Sequence, residues 1–223
     1  MTVANKQIVL AGNRAVIRKG ANINIYFESY ERALEIGGGE IPYFCRAKGN
    51  GENMDIRPME MVDIVWNVEE FPFPIEDGTY DLIYCSYVIE HVNWRKVKQL
   101  FKEMFRILKP GGDILITTAN LLAQCKLVAN STKWDEPLST NGFSNMIFGG
   151  QDYGDNSHKC GFCPASIKAD LEDAGFKVGV FDHPFSDTDM VVYALKPETE
   201  MEVKSWEEDL MHSNGEFSPV QGS

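Results

Sequence analysis

The sequence predicts a single α/β domain built on a mostly parallel sheet, and three observations favour this fold. A short apolar run at residues 32–36 leads directly into Gly37-Gly38-Gly39, where the backbone must adopt conformations closed to residues with a Cβ atom. Asp55 follows Glu35 by 20 residues, a spacing typical of nucleotide-binding α/β sheets. Further along the chain, apolar strand-like runs alternate with helical periodicity.

Length and composition agree with one globular domain. The chain has 223 residues, enough for a sizeable core and too few for two full domains. Apolar residues make up 43% and charged residues 24%, with no apolar run of membrane-spanning length. Because the first residues lack the basic and then apolar pattern of a signal peptide, a cytoplasmic location without membrane contact is expected.

The net charge limits the classes of binding partner, and the cysteine spacing indicates the redox state of the thiols. A formal net charge of −12 argues against duplex nucleic acid, since phosphate binding needs clustered Lys and Arg. It does not exclude a small nucleotide-like cofactor. The five cysteines, at positions 45, 85, 125, 160 and 163, form no even framework, so reduced thiols are expected.

The sequence predicts that the two ends of the chain lie outside the main domain. Over residues 1–30, a Gly12-Asn13 pair between apolar runs predicts an N-terminal extension that forms a hairpin or a lid. The main domain is placed at residues 31–197. From residue 198 to residue 223 the chain is acidic and ends in a stretch rich in Ser, Gly and Pro, which predicts a partly disordered tail.

Strands are predicted where apolar runs end at turn signals. Before the first long helix these runs lie at residues 32–36, 52–56, 61–67 and 80–86. Asp55, at the end of the second strand, can accept hydrogen bonds from both hydroxyls of a ribose. Glu35 can accept from an ammonium or a hydroxyl, and Asn67, at the end of the third strand, can pair with the edge of a base.

The clearest helix follows Asn93, a residue type that caps helix N-termini. Its apolar stripe repeats with the helical period and consists of Trp94, Val97, Leu100, Phe101, Met104, Phe105 and Leu108. The segment Lys109–Gly112 is expected to end this helix and to lead into a strand at residues 113–118.

Between residues 119 and 159 the periodicity fades and the composition becomes polar and aromatic. We interpret residues 128–160 as an insertion that forms a substrate loop, although a plain surface excursion explains the composition nearly as well. A further helix is predicted from Pro164 to Gly175. Two final strands, at residues 176–181 and 190–195, are expected to pair antiparallel because a turn-rich segment joins them.

Several motifs, taken in chain order, resemble a known family. They are Leu34–Gly39, Asp55, Phe71–Phe73, Gly78–Ile83, Val88–Val92 and Arg106–Gly112. The series resembles the signature of class I S-adenosylmethionine-dependent methyltransferases of the type 11 group, and ordered motifs are more specific than any one of them. The resemblance implies a Rossmann-like class I methyltransferase fold: a seven-stranded, mostly parallel sheet with an antiparallel last strand and helices on both faces.

The same resemblance implies where S-adenosylmethionine binds. The residues implied at the methionine end are Glu35, Gly37, Gly38, Gly39, Cys85 and Ser86. Those implied at the ribose are Asp55 and Ile56, and those at the adenine are Asn67 and Val68. Two positions depart from the family pattern, since Ile41 replaces a third glycine and Asn67 replaces an Asp that many members carry.

The chemistry points to a few candidate catalytic residues. Methyl transfer from a sulfonium is an in-line displacement, and a hydroxyl acceptor must also lose a proton. Outside the cofactor motifs, His158, His91 and Tyr153 are the candidates, with Asp152 next to Tyr153. For His158 a catalytic and a structural role are equally favoured. For His91 the alternative is packing near the start of a helix.

A zinc site is the remaining alternative for this segment. His158, Cys160 and Cys163 have a spacing that can supply three tetrahedral ligands. A second close Cys/His pair is missing, so two reduced loop cysteines are favoured and no metal is expected.

The predicted function is transfer of the methyl group of S-adenosylmethionine to a small-molecule or sugar-like acceptor. A nicotinamide-dependent oxidoreductase is disfavoured because Gly37–Gly39 lacks the G-x-G-x-x-G spacing. A regulatory protein that binds the cofactor without turnover stays open, because a fold does not prove activity. A homodimer is also left open.

Overall fold

A computed structural model describes residues 7–9, 15–18, 24–25, 30–42, 51–130, 142–183 and 185–198. Near the amino terminus, strands β1 (Gln7–Val9), β2 (Ala15–Arg18) and β3 (Asn24–Ile25) form a small antiparallel sheet. These strands lie in the stretch for which the sequence predicts a hairpin or a lid. Beyond Glu198, the predicted tail lies outside the described residues.

Within the described residues, seven strands form the main sheet. They are β4 (Ala33–Ile36), β5 (Gly51–Asp55), β6 (Ile64–Val65), β7 (Tyr80–Ser86), β8 (Leu108–Ala119), β9 (Lys177–Asp182) and β10 (Asp189–Leu195). Their order across the sheet is β6-β5-β4-β7-β8-β10-β9. Strands β4 to β8 pair in parallel, and β10 runs antiparallel to both β8 and β9. This confirms the predicted seven-stranded sheet with an antiparallel last strand.

The strand order reverses at β4, which lies between β5 and β7. In open α/β sheets a ligand binds beyond the carboxyl ends of the strands at such a switch point. The carboxyl ends of β4, β5 and β7 therefore define the part of the molecule in which a site is expected.

Four α-helices connect or cover the strands in the described residues. They are α1 (Val97–Ile107), α2 (Leu121–Ala129), α3 (Phe143–Phe148) and α4 (Pro164–Asp173). Helix α1 buries one apolar stripe, as its period predicts, and α4 begins with Pro164 at its first turn. None of these helices is long and apolar enough to cross a bilayer in the part of the chain described.

The start of α1 differs from the prediction. Asn93 does not cap the helix, because its side-chain oxygen accepts from the Arg95 amide at 3.0 Å and its carbonyl accepts from the Lys96 amide at 2.7 Å. These bonds close a separate turn before the helix, since Asn side chains compete for nearby backbone donors. Trp94 lies in that turn, is 61% exposed and does not belong to the buried stripe.

Two strand boundaries also differ from the prediction. The strand expected at residues 61–67 is reduced to Ile64–Val65 at the edge of the sheet. Strand β8 begins at Leu108, so the segment expected to separate helix from strand lies inside the strand, where the pairing with β7 is irregular. The sequence pattern missed both because strand length depends on the neighbouring strand as well as on local propensity.

Polar groups at the amino edge of the sheet are closely paired. Asp113 is 1% exposed and accepts hydrogen bonds from the hydroxyls of Tyr30, at 2.9 Å, and Tyr193, at 2.5 Å. Lys109 forms an ion pair with Asp81 at 2.6 Å. We call these residues the amino-edge network. Because buried charge is costly unless it is hydrogen-bonded, this network stabilises the edge that faces away from the switch point.

Candidate active site

The glycine turn after β4 is built into the sheet. The Gly37 amide donates to the Met54 carbonyl at 2.7 Å, and Gly37 and Gly39 have φ angles of 77° and 59°. A Cβ atom on Gly37 would collide with the side chain of Val88 in the loop after β7. Glycine is therefore required at residue 37 both by backbone conformation and by close approach.

The side chain of Asn53 fixes the conformation of this glycine turn, a role that was not predicted from the sequence. Its side-chain oxygen accepts from the Gly38 amide at 3.1 Å, and its Nδ2 donates to the carbonyls of Gly39, at 2.9 Å, and Met61, at 2.8 Å. The side chain is fully buried. The sequence carries no clear signal for this role, because Asn53 stands in a strand that also contains Glu52 and Asp55.

Asp55 lies beside the turn at the end of β5. Its carboxylate accepts from the Gly39 amide at 3.2 Å and from the Arg57 amide at 2.9 Å, and it is 6% exposed. Glu35 is also buried, and a Cβ atom on Gly38 would lie 3.0 Å from its carboxyl carbon. The structure thus brings Glu35, the three glycines and Asp55 together at the switch point.

The remaining residues implied for the cofactor are spread along the same edge. Asn67 accepts from the Glu69 amide at 2.9 Å, and Val68 packs against the core. Ile56 is 40% exposed. Cys85, by contrast, is fully buried in the core, and this burial raises the pKa of its thiol. Only the backbone of Cys85 can line a cleft, while Ser86 is partly exposed.

The rings of His91 and His158 are in contact although the two residues are far apart in the sequence. Their ring centroids are 4.9 Å apart, with an angle of 74° between the planes. The amides of Lys159 and Cys160 donate to the Glu90 carbonyl at 2.8 and 3.2 Å, which ties the end of the insertion to the loop after β7. These two bonds position His158 next to His91.

The protonation of both rings follows from their partners. His91 Nδ1 is 3.2 Å from the Ser157 carbonyl, and His158 Nδ1 is 3.0 Å from the Ile147 carbonyl. Because a carbonyl oxygen only accepts, these contacts favour the tautomer with the proton on Nδ1 and the lone pair on Nε2, and the Asp155 carbonyl is a further acceptor beside His91. Burial lowers the pKa of both histidines, and the neighbouring His158 ring lowers that of His91 further. Both rings are therefore neutral near pH 7.

Glu90 lies next to this pair and was not identified from the sequence as a site residue. It is 2% exposed, and Thr118 Oγ1 donates to its Oε2 at 3.1 Å. Its Oε1 is buried without a hydrogen-bond partner among the described residues. Burial raises the pKa of this carboxyl to about 7. An unpartnered buried acceptor of this kind is costly in a fold and indicates a place for a ligand.

A cavity of about 210 Å³ opens between Glu90 and His158. Its other walls come from the carboxyl end of β8, from the first turns of α2 and from the end of α3. Gln124 of α2 donates to the Met146 carbonyl of α3 at 3.2 Å, so the two helices close the cavity together. Helix α2 was missed from the sequence, because its hydrophobic pattern is weakly amphipathic.

Tyr153 and the two cysteines lie outside the histidine pair. Tyr153 is 46% exposed, and the Arg57 guanidinium lies over its ring at 5.0 Å from the centroid. The Cys160 thiol donates to the Ile89 carbonyl at 3.2 Å, and burial raises its pKa to about 12. Cys163 lies at the start of α4, next to Ser166. The structure brings together the two histidines but places Tyr153 on the side of Asp55.

The seven-stranded sheet with its antiparallel last strand is the fold of class I S-adenosylmethionine-dependent methyltransferases, which confirms the predicted fold class. The family model described as a methyltransferase domain matches residues 13–179. The chain belongs to this methyltransferase family.

Individual relatives agree at the level of the fold. A SAM-dependent methyltransferase from Archaeoglobus fulgidus is 18% identical, covers 77% of this chain and 88% of its own, and superposes with a TM-score of 0.55. One from Mesorhizobium loti is 14% identical over 74% of this chain and 90% of its own, with a TM-score of 0.52. These similarities show a shared fold.

A shorter match links the chain to a curated protein. It is 39% identical over 62 residues to the mitochondrial 2-methoxy-6-polyprenyl-1,4-benzoquinol methylase of Caenorhabditis elegans. The match spans 28% of this chain and 20% of that relative.

Proposed function

We propose that this chain transfers the methyl group of S-adenosylmethionine to a small-molecule acceptor, with sugar-like compounds among the candidates. The observation that carries the proposal is the pairing of two neighbouring features at the carboxyl edge. One is the glycine turn with the buried Asp55 carboxylate, and the other is the cavity between Glu90 and His158. A donor site and an acceptor site must adjoin for in-line displacement.

The cofactor residues are assigned as follows. The methionine end lies against Glu35 and the turn Gly37–Gly39, with Ser86 and the backbone of Cys85 on its other side. The ribose hydroxyls donate to Asp55, which is supported by the position of this carboxylate beside the turn. Ile56 packs on the ribose or the base, since it is an apolar side chain exposed at the end of β5.

The adenine lies at the end of β6. Val68 packs beneath the ring, and Asn67 offers an amide to its edge, which suits hydrogen bonding to a base. The Oδ1 atom of Asn67 accepts from the Glu69 amide, so its Nδ2 atom is the group aimed at the base.

The acceptor occupies the cavity, with His158 in its wall and the His91 ring in contact with that of His158, whereas Tyr153 lies beside Arg57 on the side of Asp55. The acceptor oxygen or nitrogen attacks the methyl carbon, the carbon–sulfur bond breaks, and S-adenosylhomocysteine leaves. The proton of a hydroxyl acceptor passes to a neutral imidazole. The volume of about 210 Å³ suits a compact ring compound, because a cavity of roughly 150 Å³ already holds benzene.

The free cysteines bear on the cellular compartment, and the family membership bears on the alternative functions. Cys85, Cys125, Cys160 and Cys163 are free thiols, which supports the cytoplasm as the compartment. Membership of a methyltransferase family removes the basis for a nicotinamide-dependent oxidoreductase. A protein that binds the cofactor without turnover is an outcome that the test distinguishes.

The test begins with calorimetric titration of the full chain with S-adenosylhomocysteine, with NADH as the control ligand. Binding of S-adenosylhomocysteine alone is expected, and it should be lost in Asp55→Ala but kept in Asp182→Ala, which changes an exposed carboxylate on β9. Transfer of labelled methyl to a panel of small hydroxyl and amine compounds then tests turnover. Binding without transfer to any compound would favour the regulatory alternative, and no binding by folded protein would overturn the proposal.

A further inference from the structure

Three side chains with metal-binding groups converge beside the cavity. Glu90, His91 and His158 each offer one ligand atom, and these atoms lie within 4.8 Å of one another. Two come from the loop after β7 and the third from the far end of the insertion, so the tertiary structure alone brings them together. Among the described residues, this is the one such group of three or more.

The hydrogen bonds of the two imidazole rings orient them as in histidines that bind a metal ion. A metal-ligating histidine usually donates its second ring nitrogen to a carbonyl or carboxylate, which fixes the orientation of the ring. His91 and His158 do this through Nδ1, toward the carbonyls of Ser157 and Ile147. The remaining nitrogen of each ring carries a lone pair, which is the form that binds a metal.

Glu90 supplies an independent observation. Its side chain is 2% exposed and lines the cavity together with His158. Thr118 holds one oxygen, while Oε1 is buried and has no partner in the described part of the chain. A carboxylate ligand is expected to accept a hydrogen bond at one oxygen, as Glu90 does from Thr118, and to offer the other oxygen to the ion.

We propose that Glu90, His91 and His158 bind one Zn²⁺ ion, or a divalent transition-metal ion of similar chemistry, at the wall of the cavity. Two imidazoles and one carboxylate are a ligand set that takes zinc and leaves a fourth position open. Because zinc bonds to these atoms are about 2.0–2.2 Å long, small side-chain rotations would close the separations seen here.

This set differs from the one that sequence spacing suggested. Cys160 donates its thiol to the Ile89 carbonyl, and Cys163 contacts Ser166 at the start of α4. Neither thiol belongs to the cluster. Of the neighbouring charges, the Lys159 ammonium pairs with Glu69 at 3.2 Å, and Asp189 acts on Glu90 from β10. The Glu69 carboxylate therefore compensates the Lys159 ammonium, whose charge contributes to the lowered pKa of His91.

Metal binding goes beyond the proposed methyl transfer and does not rest on it. Coordination would use the ring lone pairs that a base would otherwise use, so a metal-loaded chain could not accept a proton at those nitrogens. The two roles of the histidines can therefore be separated by measuring metal binding without cofactor or acceptor.

The experiment uses the full chain, freed of any affinity tag and treated with a chelator. Titration with ZnCl₂ against a colorimetric competitor should give one ion per chain. Glu90→Gln and His158→Gln should each weaken binding by about 100-fold or more, since even outer-shell partners of such sites contribute roughly 10- to 100-fold. Circular dichroism and thermal unfolding check that each variant is folded. If Glu90→Gln does not fold, His158→Gln alone tests the proposal.

Matched controls are His183→Gln and Cys163→Ser, which change a histidine and a thiol outside the cluster. Both should keep the affinity of the parent chain. Co²⁺ loading should give visible bands without the near-ultraviolet thiolate band that cysteine ligation produces. Absence of stoichiometric binding, unchanged affinity in both cluster variants, or loss of binding in Cys163→Ser would each overturn the proposal. Titration with S-adenosylhomocysteine in parallel shows whether the proposed function fails separately.

Discussion

The two edges of the main sheet differ in how completely one buried carboxylate is hydrogen-bonded, Asp113 at the amino edge and Glu90 at the carboxyl edge. At the amino edge, Asp113 is enclosed by two tyrosine hydroxyls and Lys109 pairs with Asp81. At the carboxyl edge, Gly37 has a positive φ angle and the buried Oε1 of Glu90 has no partner among the described residues. A carboxylate with its partners in place stabilises the fold at one edge, whereas the unpartnered oxygen at the other edge carries a cost in folding and is the group that the proposed ligand site would use.

The largest effect is expected from Gly37→Ala. An alanine would be strained at φ 77° and its Cβ atom would collide with Val88. The free energy of unfolding should fall by about 2–4 kcal/mol, and S-adenosylhomocysteine binding should be lost. Urea unfolding and calorimetric titration measure the two effects.

The matched control is Gly154→Ala, because a Cβ atom there meets nothing within 4 Å. Its stability and its cofactor affinity should equal those of the parent chain. If Gly37→Ala were as stable and bound as tightly as this control, the turn would not be the element that shapes the site.

A pair of equal substitutions tests the contrast between the edges directly. Asp55→Asn at the carboxyl edge should lower the affinity for S-adenosylhomocysteine by about tenfold or more, because a charge-assisted bond to the ribose is lost. Asp113→Asn at the amino edge should instead lower the free energy of unfolding by about 1–3 kcal/mol, because one tyrosine hydroxyl loses its charged acceptor.

Each substitution is the control for the other, measured by urea unfolding and by calorimetry on the same preparations. Asp113→Asn should keep its cofactor affinity, whereas Asp55→Asn should lose affinity by more than any change in its free energy of unfolding explains. The reverse outcome, with Asp113→Asn weakening binding and Asp55→Asn only unfolding the chain, would break the distinction between the edges.

The smallest expected effect is the acid response of the amino-edge network. Burial alone would raise the pKa of Asp81, but the bond from Lys109 and the amides of Arg32 and Glu31 outweigh it and lower this pKa. A lowered folded-state pKa stabilises the fold above the unfolded value of about 3.9, and this contribution is lost as the pH falls through the folded value.

Urea unfolding between pH 7 and pH 3 should therefore show a loss of stability that is smaller in Asp81→Asn. The expected difference is less than about 1 kcal/mol, because Lys109 is partly exposed to solvent. An identical acid response in the parent and the variant would show that Asp81 does not contribute to the network.

Local sequence patterns predicted most of the sheet. The strand at residues 80–86 was predicted with its observed bounds. Strand β9 is shifted by one residue from its predicted bounds, and β10 begins one residue earlier than predicted. Apolar runs bounded by Gly and Pro are local signals, so the strand bounds that they predict depend little on the rest of the fold. The start of α1 and the length of β6 were wrong because a side-chain turn and an edge position determine them.

Some residues of the candidate site could likewise be predicted from local sequence patterns, and others could not. Gly37–Gly39 and Asp55 could be named from the sequence, because a turn and an acidic residue at fixed spacing along one chain segment carry the signal. Asn53 and Glu90 could not, because their importance comes from a bond to the turn in one case and from a buried orphan oxygen in the other.

The sequence by itself determined the class of fold, the glycine turn and the acidic residue beside it, since each depends on neighbours within a few tens of residues. Only the tertiary structure decided that His158 meets His91 and Glu90 rather than Cys160 and Cys163. The physical reason is that backbone bonds from Lys159 and Cys160 to the Glu90 carbonyl join segments distant in the chain. No local pattern encodes such a contact.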